Sequence, residues 1–140
     1  MIASVCVDDR GGMLFGRRRV SQDRAQRADL LARCAGRRLW VNGYSAPLFG
    51  EDDGISVDEA FLTKAEAGEV CFVENQPLRP VLERLEGLMV YRWNRAYPAS
   101  VYLDIDPLAE GFSLAESGEF SGTSHKKITW ELYERRERHG

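Results

Sequence analysis

A chain of 140 residues that is 44% hydrophobic suits one domain with a real core and is short for two, and neither a repeat nor a linker divides it. A formal charge of -3 and a pI near 5.5 argue against a protein that holds nucleic acid by its backbone. No run of 18 apolar residues occurs, and Met1 to Asp9 lacks both a basic start and a long apolar core, so a soluble, cytoplasmic protein with no membrane partner is expected.

Ile2 to Val7 is a short apolar run closed by Asp8-Asp9-Arg10-Gly11-Gly12, the pattern of a buried strand and a turn. Ser21 offers an N-cap with Asp23 in the first turn, and Ala25, Ala28, Leu31, Ala32 and Ala35 recur at helical spacing before Gly36. Arg38 to Val41 reads as a second strand ended by Asn42-Gly43, and Tyr44 to Phe49 as a short helical turn. Ser56-Val57-Asp58-Glu59 has the spacing of a capping box; with Phe61, Leu62 and Ala65 behind it and Gly68 as a stop, it predicts a second full helix. Residues 69–73 make a third strand. The helix predicted after Asn75 shows Leu78, Val81, Leu82 and Leu85 at i, i+3, i+4 and i+7. Leu88 to Arg95 is a fourth strand; residues 101–105, 112–119 and 128–135 then read as strands joined by loops without helices. The expected fold is a single-domain α/β protein covering 1–140, with an open, mainly parallel sheet and an antiparallel C-terminal portion.

Charge is unevenly spread. Residues 1–40 hold nine arginines against four acids and residues 41–90 hold three basic residues against ten acids, which predicts a bipolar surface, with Arg17-Arg18-Arg19 as a solvated loop. Three cysteines, Cys6, Cys34 and Cys71, form no CxxC pair, and their odd count argues against a disulfide framework or a zinc site. Cys6 and Cys71 fall in strand-like runs and read as small buried apolar groups.

In an open α/β sheet the ligand cleft lies beyond the carboxyl ends of the parallel strands. Those ends carry Asp8-Asp9, Asn42, Glu74-Asn75 and, if the fourth strand is parallel, Asn94-Arg95. Glu74-Asn75 stands at a strand-to-helix junction, where a phosphate turn would need glycines and no added negative charge. Asn42, Glu74, Asn75, Arg92 and Asn94 are therefore candidates for holding a small polar ligand, with Asn75 as a plain helix N-cap as the alternative. On a strand Arg92 and Asn94 share one face and Trp93 and Arg95 the other, and Glu74 is the expected partner of Arg92. His125, in a polar loop, shows no orienting partner in the sequence. Ser121, Thr123 and Ser124 lack the setting of an esterase nucleophile.

Taken together, Ser4 to Met13, Ser21-Gln22-Asp23, Val41 to Ser45, Ser56 to Ala60 and the tail from Asp104 through Phe112-Ser113-Leu114 to Thr129–Arg135 resemble a shortened dihydrofolate reductase. The resemblance implies that Asp23 is the counterpart of the carboxylate that holds the pterin ring, which adds Asp23 to the candidate ligand-binding residues; an acid favoured there by the helix dipole alone is the alternative. It also implies three losses. Glu74-Asn75 stands where the family has Gly-Gly, Gly43-Tyr44-Ser45 where it has Arg-x-Thr, and the segment after the second strand, which in the family flanks the adenosine end of NADPH, is shortened.

The segments Asp8 to Met13, Phe72-Val73-Glu74-Asn75 and Tyr91-Arg92-Trp93-Asn94-Arg95 are similar to those of a family of short uncharacterised bacterial proteins sometimes labelled ribonuclease Z. That label implies a two-zinc hydrolase, whose His-x-His-x-Asp-His cluster a chain with only His125 and His139 does not supply. The expectation is thus a reductase-like scaffold without NADPH, metal or other cofactor, binding a small polar or nucleobase-like ligand. A self-associating or homodimeric interaction module and a residual NADPH-dependent reductase are the alternatives.

Overall fold

The computed structural model describes residues 1–50 and 54–136; His139 and residues 51–53 lie outside them. In chain order the elements are β1 (Ile2–Val7), β2 (Gly12–Phe15), β3 (Arg18–Arg19), α1 (Arg24–Arg33), β4 (Leu39–Val41), a 3-10 turn (Ala46–Leu48), β5 (Ile55–Val57), α2 (Phe61–Lys64), β6 (Val70–Phe72), a 3-10 helix (Arg79–Arg84), β7 (Gly87–Arg92), β8 (Val101–Tyr102), β9 (Phe112–Phe120) and β10 (Ile128–Arg135). The main sheet has the order β5-β4-β6-β1-β7-β10-β9, and a small sheet has the order β3-β2-β8. Strands β5, β4, β6, β1 and β7 are parallel, whereas β10 runs antiparallel to both β7 and β9.

β1 is central because nearly every residue of it is buried, the condition of a strand with parallel neighbours on both sides and layers on both faces. Its alternation sorts the core. Ala3, Val5 and Val7 join Leu88 and Val90 of β7 and Cys71 and Val73 on one face, under Phe61, Leu62, Leu78 and Leu85. Ile2 joins Met89, Tyr91 and Trp93 on the other, under Leu30 of α1. Leu30 is fully buried, a burial of about 2 kcal/mol, and fastens α1 to the sheet together with Cys34 and the hydrogen bond from the Tyr91 hydroxyl to Asp29.

Four local expectations give way to tertiary contacts. Asp23, not Ser21, caps α1: its carboxylate accepts from the N–H groups of Ala25 and Gln26. Ser56 belongs to β5 because Ile55–Val57 pairs in register with Leu39–Val41, which leaves only the four-residue α2 where a full helix was expected. The Asp58 side chain, rather than capping a long helix, accepts from the Ala60 N–H at 2.7 Å. The segment after Asn75 is a 3-10 helix beginning at Arg79-Pro80; Leu78 and Leu85 are buried as the apolar spacing requires, while Val81 and Leu82 are only partly so. Arg18-Arg19, expected in a loop, is a strand of the small sheet paired with Leu14-Phe15.

Candidate functional site

The carboxyl ends of β1, β4, β6 and β7 lie along one edge of the sheet, and the polar residues that follow them meet in two networks. At the ends of β4 and β6, Asn42 Nδ2 donates to Asn75 Oδ1 at 2.8 Å. Asn42 Oδ1 accepts from the Ser45 N–H at 3.2 Å, and Ser45 Oγ donates to Glu74 Oε1 at 2.7 Å. Arg19 completes this network with a two-pronged ion pair, Nε to Oε2 at 2.8 Å and Nη2 to Oε1 at 3.2 Å, while its guanidinium lies 4.7 Å over the Tyr44 ring. Glu74 is thus buried and fully engaged. Nor does Asn75 cap the following helix. The N–H groups of Leu78 and Arg79 donate to Asp104 Oδ1 and Oδ2, both at 2.9 Å, from a distant loop. In the turn after β4 the Gly43 N–H likewise donates to Glu59 Oε2 at 2.7 Å.

The second network is centred on Asp23, which is 2% exposed. Its Oδ1 accepts from the N–H groups of Ala25 at 2.8 Å, Gln26 at 3.3 Å and Thr123 at 3.0 Å. Its Oδ2 accepts from the Ser124 N–H at 2.8 Å and Ser124 Oγ at 3.1 Å, and lies 2.9 Å from His125 Nδ1. Burial alone would push the Asp23 carboxyl up, but the His125 imidazole and the N–H groups of Ser124, Thr123 and Ala25 outweigh it and hold the carboxyl well below the ordinary carboxylate range. An ionised Asp23 can only accept, so Nδ1 is the nitrogen that carries hydrogen. The other nitrogen, Nε2, then faces Ser21 Oγ at 2.8 Å and Tyr97 Oη at 3.1 Å. The ring is clamped by stacking on Trp93, centroids 4.6 Å apart at 21°. Gly122 makes the arrangement possible: a Cβ there would stand 2.6 Å from Asp23 Oδ2 and 2.9 Å from the His125 carbonyl oxygen.

Arg92 does not pair with Glu74, because β1 stands between β7 and β6. It donates to Glu131 Oε1 at 2.6 Å, its diagonal neighbour on β10, where the Tyr133 hydroxyl also donates at 3.0 Å. Asn94 turns the chain after β7 at a φ of 59°, a left-handed conformation that Asn tolerates better than most residues, and its Nδ2 donates to the Lys127 carbonyl and to Thr129 Oγ1. Asp8, at the end of β1, accepts from the N–H groups of Arg10, Gly12 and Tyr97; these outweigh burial and hold its carboxyl below the usual range.

Of the six candidates, the structure therefore brings Asn42, Glu74 and Asn75 together, places Asp23 in the separate His125 network, and leaves Arg92 and Asn94 tied to β10 and the loop before it. A cleft of about 720 Å³ opens beside that loop, lined by Trp93, Asn94, Arg95, Ser124, Lys126 and Lys127. A second groove of about 700 Å³ lies at the opposite edge, where β1 and β7 begin, among Arg37, Glu69, Glu86 and Arg135. Among the described residues no three His, Cys, Asp or Glu side chains gather to hold a metal ion, and no helix is long and apolar enough to cross a membrane. The Ser21–His125 contact spans 104 residues of sequence and has no local signature; the small residues Gly122-Thr123-Ser124 before His125 are the one hint that the loop could close on a buried acid.

No protein-family model matches the sequence, and no curated protein is similar to it. Among solved structures the chain is similar to a dihydrofolate reductase from Enterococcus faecalis complexed with NADP(H) and RAB-propyl, at 11% identity over 98% of this chain and 97% of that chain, with a TM-score of 0.68. The likeness at that identity is one of fold: this chain has the α/β architecture of dihydrofolate reductase.

Proposed function

We propose that this protein uses a dihydrofolate reductase scaffold without a dinucleotide, and binds a small, polar, negatively charged ligand in the cleft beyond the end of β7. The observation that carries the first half is that the N–H groups at the strand-to-helix turns, where an α/β sheet receives phosphates, are taken by carboxylates of the chain itself. Asp104 occupies the turn after β6, Glu59 the turn after β4, and Asp23 the start of α1. A pyrophosphate would have to displace these groups and sit near the buried Glu74. The residues do not fit the cofactor.

The second half rests on charge. Arg95, Lys126 and Lys127 surround the cleft and Trp93 lines it; the buried Trp93 Nε1 has no hydrogen-bond partner among the described residues. Lys127 is engaged by Glu119 at 3.5 Å and Arg95 lies over the Tyr97 ring, which leaves Lys126 as the freest cation. On this reading Asn94 contacts the ligand, Asp23 supports the wall through Ser124, and Asn42, Glu74, Asn75 and Arg92 hold the scaffold.

Titration with NADPH, followed by tryptophan fluorescence, tests the first half: no saturable quenching is expected up to millimolar cofactor, and saturation in the micromolar range would overturn it. For the second, thermal-shift screening with phosphate, carboxylates, nucleobases and pterins should yield stabilising anions, and Lys126→Gln should weaken them. A stabiliser indifferent to that substitution binds elsewhere. A self-associating module is the second reading, favoured by β9, an edge strand whose residues 113–119 are exposed. A monomer by light scattering at high concentration would remove it.

A further inference from the structure

We propose that Ser21, His125 and Asp23 act as nucleophile, general base and orienting acid, and that this protein hydrolyses small carboxylic esters at Ser21 Oγ. The reaction needs no ligand in the cleft, although Trp93 and Ser124, which line the cleft, also hold the His125–Asp23 pair.

The geometry has the required order and spacing. Ser21 Oγ lies 2.8 Å from His125 Nε2, and His125 Nδ1 lies 2.9 Å from Asp23 Oδ2. Such a constellation is recognised by roles and distances rather than by sequence position or fold. Each role is chemically filled. Asp23 accepts the Nδ1 hydrogen, so Nε2 is the ring nitrogen that faces the serine hydroxyl, with Ser21 Oγ nearer to it than Tyr97 Oη. The base is fixed in orientation by the Trp93 stack, and the Ser124 N–H fixes the acid. Burial increases outside-in along the chain of contacts: Ser21 is half-buried, whereas His125 is 6% exposed and Asp23 2%, so the nucleophile is the member that meets solvent. Ser21 is not used as a helix cap, a task that Asp23 performs. Tyr97 Oη, 3.1 Å from the same Nε2, stands beside the serine and restricts the room there, which favours a short acyl group.

In the reaction Ser21 Oγ attacks the ester carbonyl carbon and its proton passes to His125 Nε2. The carbon–oxygen bond to the alcohol then breaks, and that proton leaves on the alcohol oxygen, giving an acyl-Ser21 ester. Water, deprotonated by the same nitrogen, attacks the acyl carbon and releases the carboxylic acid, and the proton returns to Ser21. Asp23 stays ionised throughout.

A fluorophosphonate probe, with peptide mapping by mass spectrometry, should modify Ser21 in the folded wild-type protein and not in urea. Hydrolysis of p-nitrophenyl acetate should exceed the buffer rate and fall at least about tenfold in Ser21→Ala, whose thermal midpoint reports that it folds. Absence of an adduct on Ser21, an adduct on Ser121 or Ser124 in its place, or hydrolysis unchanged in Ser21→Ala would each overturn the proposal. The labelling arm uses wild-type protein alone, so it decides the matter even if a variant misfolds.

Discussion

Replacing Glu74 by Gln measures what the junction between β6 and the following helix is for. Gln keeps one oxygen that can accept from Ser45 Oγ, but it removes the charge that binds Arg19 through two contacts of 2.8 and 3.2 Å. Breaking a buried ion pair costs about 3–5 kcal/mol, and a hydrogen bond to a charged group contributes about 1.5–3 kcal/mol. The Glu74 side chain is 9% exposed but that of Arg19 is 24%, so the abandoned guanidinium can recover part of its hydration. The loss should therefore sit near the lower end, about 2 kcal/mol, which for a chain of this length lowers the melting midpoint by roughly 6 °C. Urea unfolding at pH 7 of wild type, Glu74→Gln, Arg19→Gln and the double variant gives the coupling directly, with about 1–2 kcal/mol expected. A Glu74→Gln loss below about 0.5 kcal/mol, or a coupling near zero, would refute the reasoning and return Glu74 to the candidate ligand-binding residues.

Asp104→Ala should cost about 1–2 kcal/mol in the same assay, the range of a lost helix cap, because it frees the N–H groups of Leu78 and Arg79 together; Asp104→Asn should recover part of it. Asp23 has a folded pKa depressed below its unfolded value, so its contribution is fully present above about pH 4 and is lost as pH falls through the folded value. The stability difference between wild type and Asp23→Asn should accordingly narrow below about pH 4, and a difference constant from pH 7 to 3 would contradict the linkage. Gly122→Ala places a methyl 2.6 Å from Asp23 Oδ2 and should destabilise by more than about 2 kcal/mol, while Gly118→Ala, where a Cβ meets nothing within 4 Å, should be nearly neutral to packing; equal losses at the two would argue against a crowded Asp23 loop. Thiol titration offers a further check: burial pushes Cys34 up to about 11 and Cys71 up to about 12, so both should resist a disulfide reagent at pH 8 until the protein unfolds.

The strands were legible wherever a short apolar run met a strong stop. Ile2–Val7 and Ile128–Arg135 match their expected bounds, and Asn42, Asp8 and Glu74-Asn75 fall at the carboxyl ends of parallel strands as the pattern implied. The helices were less legible because capping residues are ambiguous. Ser56-Val57-Asp58-Glu59 has the spacing of a capping box, yet β4 offers Ile55–Val57 a register of paired backbone groups, and two strand residues cannot also begin a helix. Among the candidate site residues, the sequence pointed to the polar ones and missed their partners. Arg19 was hidden in a basic run, Asp104 caps the 3-10 helix from a distant loop, and Glu59 holds the turn after β4 from outside it.

Composition and local pattern alone determined a one-domain α/β chain with a parallel core and an antiparallel end, because burial of alternating apolar residues is a property that neighbours in sequence share. Tertiary structure decided the chemistry. Whether Glu74 stands alone or against Arg19, and whether His125 stands in an open loop or against Asp23, depends on groups 55 and 102 positions away. The strength of a buried polar contact is set by which distant donor the fold delivers within 3 Å, and no local spacing encodes that distance.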